Sequence, residues 1–95
     1  MSDRPEGLLN QGIILSGVGK TADAEKAYLL GIKRFPSYAA LYVNLADLYR
    51  LEGMDAKGKT YLDEALLLGP NNATLHYALG LWYIRNQDKI GRAHV

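Results

Sequence analysis

Tyr42-Val-Asn-Leu-Ala-Asp-Leu-Tyr-Arg-Leu-Glu-Gly53 is an apolar helical pattern that stops at a glycine, and many of its marks recur 34 residues away on either side. Gly12, Ala46 and Gly80 stand one period apart, and so do Leu15, Tyr49 and Tyr83. Ala24 returns as Gly58, Gly31 as Ala65 and Pro36 as Pro70. Small residues at matched sites let two helices approach closely, and large ones fill the space beside them. A proline at the end of each period stops one helix and turns the chain. This period and texture predict an all-α chain of helix–turn–helix units stacked on one another.

Start and stop signals place five helices. Pro5 tolerates a first helical turn, so the first helix is expected from about Pro5 to Ser16, ending at Gly17-Val-Gly19. Thr21 or Ala22 opens the second, with Thr21 as N-cap, and Pro36 marks its end region. Ser37 is expected to cap a third helix from about Tyr38 to Leu51, stopped by Gly53. Asp55 opens a fourth to Leu68, closed by Gly69-Pro70, and Asn72 caps a fifth from Ala73 to about Arg85. Asp88 is a cap for a short stub beyond it. Leu41, Leu45, Leu48 and Leu51 recur at three- and four-residue steps, as a helix with a buried face requires. In the fifth helix Leu75, Leu79, Trp82 and Ile84 leave little polar face, so it needs neighbours on most sides.

These positions resemble the tetratricopeptide repeat over nearly the whole chain. Tyr42, Leu45, Ala46, Tyr49, Gly53, Ala65 and Pro70 match the family pattern in the middle unit, and Leu79, Gly80 and Tyr83 match it in the third. Departures fall at Gln11, where leucine is expected, and at Gly31 and Gly58, where alanine is usual. Gly58 weakens its helix by up to about 1 kcal/mol. The resemblance implies a right-handed solenoid of five helices plus a truncated stub. Its parts are unit one over residues 5–38, unit two over 39–72, and the first helix of unit three over 73–89. Residues 90–95, Ile90-Gly-Arg-Ala-His-Val95, look like a translated sequencing adapter, and are expected to be a non-native or frayed tail. Gly91 and Arg92 stand where an alanine-rich second helix should be building.

The same resemblance implies a concave groove lined by the first helix of each unit, which receives a peptide or another helix. Carried over, its positions are Glu6, Leu9, Asn10, Ile13 and Ser16, then Ala40, Val43, Asn44, Asp47 and Arg50, then Thr74, Tyr77, Ala78, Leu81 and Arg85. The expected binding residues are Leu9, Asn10, Ile13, Val43, Asn44, Asp47, Arg50, Tyr77, Leu81 and Arg85. Aliphatic side chains make the floor, the asparagines offer hydrogen bonds, and Asp47, Arg50 and Arg85 orient charge. Tyr77 brings area and a hydroxyl at low entropic cost. One subclass of the family clamps the acidic tail of a chaperone with lysines, asparagines and an arginine. Its sites here hold Leu9, Ile13, Asn44, Thr74 and Ala78, so only the asparagine remains and no such tail is expected to bind.

The chain has 95 residues, enough for one small domain, with 11 basic and 10 acidic residues and a formal charge of +1. That balance, without a run of like charge, offers no basis for nucleic-acid binding. Cysteine is absent, which removes disulfides and thiolate metal sites. No apolar run approaches the ~20 residues that span a membrane. Met1-Ser-Asp-Arg-Pro5 lacks the basic and apolar regions of a signal peptide. Cytoplasm is the default compartment, and periplasm the expectation if the N-terminus is truncated.

Catalytic motifs are weak. Gly17-Val-Gly-Lys-Thr21 ends like a phosphate-binding P-loop, but the glycine required five residues before Gly19 is Ile14. It sits between two helices and recurs as Leu51-Glu-Gly53, so an interhelical turn is the better reading. His94 lies in the tail, and His76 takes the place of Leu8 and Tyr42, a packing position, with no second ligand one turn away. Ser2, Ser16 and Ser37 lack a histidine partner, and Asp23, Glu25, Asp63 and Glu64 read as solvated helix faces. Nothing assembles acid, base and nucleophile. Tyr28, Tyr42, Tyr49 and Tyr83 read as core aromatics. The leading expectation is therefore a cofactor-free, non-enzymatic protein-interaction scaffold that binds an apolar or amphipathic segment in the groove. A second is an accessory region of a larger bacterial enzyme or multihaem c-type cytochrome. Val43-Asn-Leu-Ala-Asp-Leu-Tyr-Arg50 and Leu75-His-Tyr-Ala-Leu-Gly80 resemble tetratricopeptide tails of such cytochromes, although this chain has no haem-attachment motif. A third is self-association through the uncovered fifth helix.

Overall fold

A computed structural model describes residues 4–87. Among them five helices follow one another: α1 (Pro5–Gly17), α2 (Thr21–Arg34), α3 (Ala39–Leu51), α4 (Asp55–Leu68) and α5 (Ala73–Arg85). The expected stub at Asp88 and the tail at residues 90–95 lie outside the described residues. α1 and α2 pack as a pair, as do α3 and α4. α2 also packs on α3, and α4 on α5, while α1, α3 and α5 touch in a row. Contacts of this kind, each helix meeting only near neighbours, fit a helical repeat. The resulting body measures 55 × 31 × 16 Å.

The turns repeat with the sequence. Gly19 and Gly53 follow α1 and α3 with φ of +83° and +75°, a region where a side chain is strained. After each, the next amide returns to the helix: Lys20 N–H donates to the Leu15 carbonyl and Met54 N–H to the Tyr49 carbonyl, both at 2.8 Å. Gln87 occupies the third such position, and α5 instead closes with Asn86, whose buried side-chain amide and backbone N–H both donate to the Trp82 carbonyl. A second repeated bond pins the turns between units. Tyr42 Oη donates to the Pro36 carbonyl at 2.7 Å, and His76 Nε2 bonds the Pro70 carbonyl at the same distance. His76 is thus an exposed tether and not the packing residue expected from its place in the period.

Two expected caps are corrected. Thr21 is the first residue of α2, and its hydroxyl donates to the Gly19 carbonyl at 3.4 Å. Tyr38, one residue after Ser37, takes the N-cap position of α3 without a side-chain bond. Asn72 caps α5 as expected, its Oδ1 accepting from Leu75 N–H at 3.0 Å.

The core consists of two clusters. Leu41, Leu45, Leu48 and Tyr49 of α3 pack with Ala24 and Tyr28 of α2. Tyr42 and Ala46 of α3 pack with Leu62, Ala65, Leu75 and Leu79. Fully burying a leucine is worth roughly 1.5–3 kcal/mol, and α3, with six of the thirteen buried apolar side chains among the described residues, carries the largest single share of the driving force. Close approach depends on small residues. A methyl group at Gly12 would overlap the Tyr28 ring, and one at Gly31 would come within 2.7 Å of the Leu41 side chain. The departure from alanine at Gly31 is therefore filled by Leu41. Tyr83 departs from the core reading: it is 48% exposed, because no second helix covers α5 among the described residues.

Polar contacts close the seams between units. Tyr49 Oη donates to Glu25 at 2.5 Å, and Lys57 lies 3.7 Å from the same carboxylate and over the Tyr49 ring. At the next seam Lys59 lies against the rings of Trp82 and Tyr83 and pairs with Asp63 at 2.7 Å. Trp82 Nε1 donates to the Asp55 carbonyl and Arg85 reaches the Asp55 carboxylate.

Burial, first, and the Glu25 bond, second, push the Tyr49 phenol far above its ordinary 10.0. Burial also raises Tyr28 and Tyr42. A phenol held protonated more tightly when folded contributes stability that is complete below the unfolded pKa and is lost as pH rises above it. The thermal midpoint is thus expected to fall as pH climbs past 10, and the share of phenolate absorbance due to the buried tyrosines should appear only with loss of helical circular dichroism. A second expectation concerns one repeat position occupied by glycine twice. Gly12→Ala should destabilise by about 1–3 kcal/mol through overpacking. Gly80→Ala, with nothing within 4 Å, should stabilise by up to about 1 kcal/mol through helix propensity. Urea unfolding of both variants checks the opposite signs.

Candidate functional site

The row of α1, α3 and α5 presents the residues assigned to the groove. Small side chains on α3 and α5 leave a gap between these two helices, and α4 shows through as its floor. The cleft encloses about 160 Å³. Val43, Ala78 and Leu81 form apolar walls, Ala46 and Leu62 close the bottom, and Asn44, Asp47 and Arg85 rim it. Small-molecule pockets commonly span about 300–1,000 Å³, so this space suits one apolar anchor of a peptide better than a whole ligand.

Five of the ten assigned residues meet here: Val43, Asn44, Asp47, Leu81 and Arg85. The others do not line the cleft. Leu9 is half-buried against the first core cluster, Asn10 is exposed and Ile13 is 45% exposed, all on α1. Tyr77 is 70% exposed. Arg50 is turned to Asp47, with Nε and Nη2 donating to one carboxylate oxygen at 2.9 and 2.7 Å. Ala46 and Leu62 line the cleft although the groove assignment lacks them. The signal for Ala46 was present, since a small residue on a first helix opens space on more than one side. Leu62 belongs to a second helix, and only the gap beside Ala46 brings it into view.

The polar rim is largely spent. Asn44 Nδ2 donates to the Ala40 carbonyl at 2.8 Å, which leaves its carbonyl oxygen and its second N–H for other hydrogen bonds. Arg50 and Asp47 neutralise one another, an exposed pair worth little to stability. Arg85 holds Asp55 at 3.3 Å. A ligand carboxylate entering the cleft would have to displace one of these carboxylates from its arginine.

At the Gly17–Lys20 turn three amides donate into the end of α1: Val18 to Ile14, Gly19 to Ser16 and Lys20 to Leu15. A phosphate cradle needs such amides directed at the ligand. A larger cleft, about 340 Å³, opens between α1 and α2 among Leu8, Gln11, Leu15, Ala27 and Leu30. One period on, the first four positions hold Tyr42, Leu45, Tyr49 and Tyr61, which are packed in the core clusters. The cleft is the first unit's exposed end, left open by smaller side chains. No helix of the described residues is long and apolar enough to cross a membrane.

Comparison with family models, curated proteins and solved structures yields no match.

Because both arginines of the groove face are held by carboxylates, an acidic C-terminal peptide should show no micromolar binding. Isothermal titration with such a peptide checks this, and a micromolar affinity would contradict the pairing described above.

Proposed function

We propose that the chain is a tetratricopeptide-type interaction module, a right-handed stack of helix pairs that holds an apolar or amphipathic peptide of another protein along α3 and α5. The observation that carries this reading is the α3–α5 cleft. Val43, Ala78 and Leu81 wall it, Leu62 floors it, and the nearby charges are paired off. An apolar side chain entering it loses water without confronting an unpaired charge. The side-chain carbonyl of half-buried Asn44 orients the peptide backbone beside that anchor. In this reading the module works by shape and apolar burial, with no cofactor and no chemical step, and its partner contributes an amphipathic segment.

The test is selection of amphipathic helical peptides from a displayed library against the intact chain. Val43→Asp with Leu81→Asp should weaken the selected peptides at least about 10-fold, because a carboxylate desolvated without a partner costs more than 1.4 kcal/mol. Helical circular dichroism should be unchanged, as both side chains are partly or largely exposed in the free chain. Unaltered binding in the double variant would move the site away from this cleft.

A further inference from the structure

α5 has an outward stripe of its own, separate from the cleft. Ala73, Tyr77, Gly80 and Ile84 follow one another at steps of four, three and four residues, and all four are exposed. Tyr77 is 70% exposed and Ile84 68%. That spacing lines one face of a helix in the manner of a helix-pairing seam. In the middle of the stripe Gly80 has no atom within 4 Å of the place a methyl group would take. Its counterpart Gly12 on α1 is closed by the Tyr28 ring.

The helix that closes Gly12 shows what fits such a notch. α2 carries Ala24, Tyr28 and Gly31, small, aromatic and small, at steps of four and three, and all are buried. α5 carries the same three residue types at the same steps, as Ala73, Tyr77 and Gly80. It therefore holds both halves of the α1–α2 contact, the tyrosine that enters and the glycine that receives. One helix cannot use both on itself. Two copies can, once each.

We propose that α5 is a homodimer interface in which two copies pair antiparallel about a two-fold axis, Tyr77 of each copy entering the Gly80 notch of the other. With Tyr77 opposite Gly80 the register is fixed along the stripe, and Ala73 faces Ile84 of the second copy. Each contact occurs twice, as an isologous interface requires. Exposed Tyr77 and Ile84 are buried, and the ring fills space that is empty in the single chain. α2 and α4 of a second copy cannot act as the partner helix, because their corresponding stripes are already buried within their own units. One face of a 13-residue helix from each copy makes a small interface, so a micromolar dimer is expected.

Sedimentation equilibrium of the intact chain across micromolar to millimolar concentrations tests this. The mass should rise to that of a dimer. Gly80→Leu, which fills the notch at a site open in the monomer, should abolish the rise while helical circular dichroism persists. Gly80→Ala should weaken the dimer while raising the stability of the dilute monomer, a pair of opposite effects that nonspecific sticking would not produce. Val43→Asp, on α3, should leave the dimer intact, which separates this interface from the peptide cleft. Register is read by crosslinking, since the chain has no cysteine of its own. Ala73→Cys chains mixed with Ile84→Cys chains should form disulfides across copies. Either variant alone should not, because eleven residues of helix rise place its two thiols about 16 Å apart along the axis. A monomer at all concentrations, or a dimer that Gly80→Leu leaves unchanged, would overturn the proposal.

Discussion

The side of α3 that carries Leu41, Leu45, Leu48 and Tyr49 is packed against α2, and the neighbouring side with Tyr42 and Ala46 is packed against α4 and α5. α3 touches each of the other four helices, while α1 and α5 never meet. Both clusters draw residues from this one 13-residue helix, and Ile32 of α2 and Tyr61 of α4 bridge them by packing against both. The helices meet as near neighbours, so the packing is divided over a few interfaces between adjacent helices. Here there are two seams, and both end on α3 or on the helix paired with it.

Close approach within the helix pairs and at those seams is set by side-chain volume, and the period shows how volume is exchanged. Gly12 receives a tyrosine, while Ala46 lies opposite Gly58 on α4. Gly31 concedes space to Leu41 from the following unit. Each pair keeps the helices near one another by different means, a large side chain against none or two small ones. The repeat keeps the helix pairing while the residues that allow it change. Gly80 is the place where this exchange has one partner and lacks the other.

Much of the fold was legible because helix ends and apolar steps are local. Asn72 could be read as a cap since its side chain acts three residues away. Ser37 misled, although the period itself held the correction: Asn72 lies one repeat after Tyr38, not after Ser37. Asn86 went unread, yet Gln87 in the place of Gly19 and Gly53 signalled a different helix end. The groove was legible only in part. A period assigns faces, but it does not set the gap between helices, which decides what forms a cleft. Val43 and Leu81 meet across such a gap, while Leu9 is drawn into the core and Tyr77 faces away from it. Leu62 entered from the other layer, where no rule about first helices could place it.

The charges at the two seams differ in sign. Glu25 stands between Tyr49 and Lys57 at the first seam, and one period later the same position is Lys59, beside Tyr83. A chain in which unit two followed itself would set Lys57 of the second copy against Lys59 of the first, two cations where an ion pair now stands. The order of the units is thus written into their electrostatics: they share a shape but are not interchangeable bricks, and duplication, the simplest way to lengthen a repeat protein, is penalised at this joint.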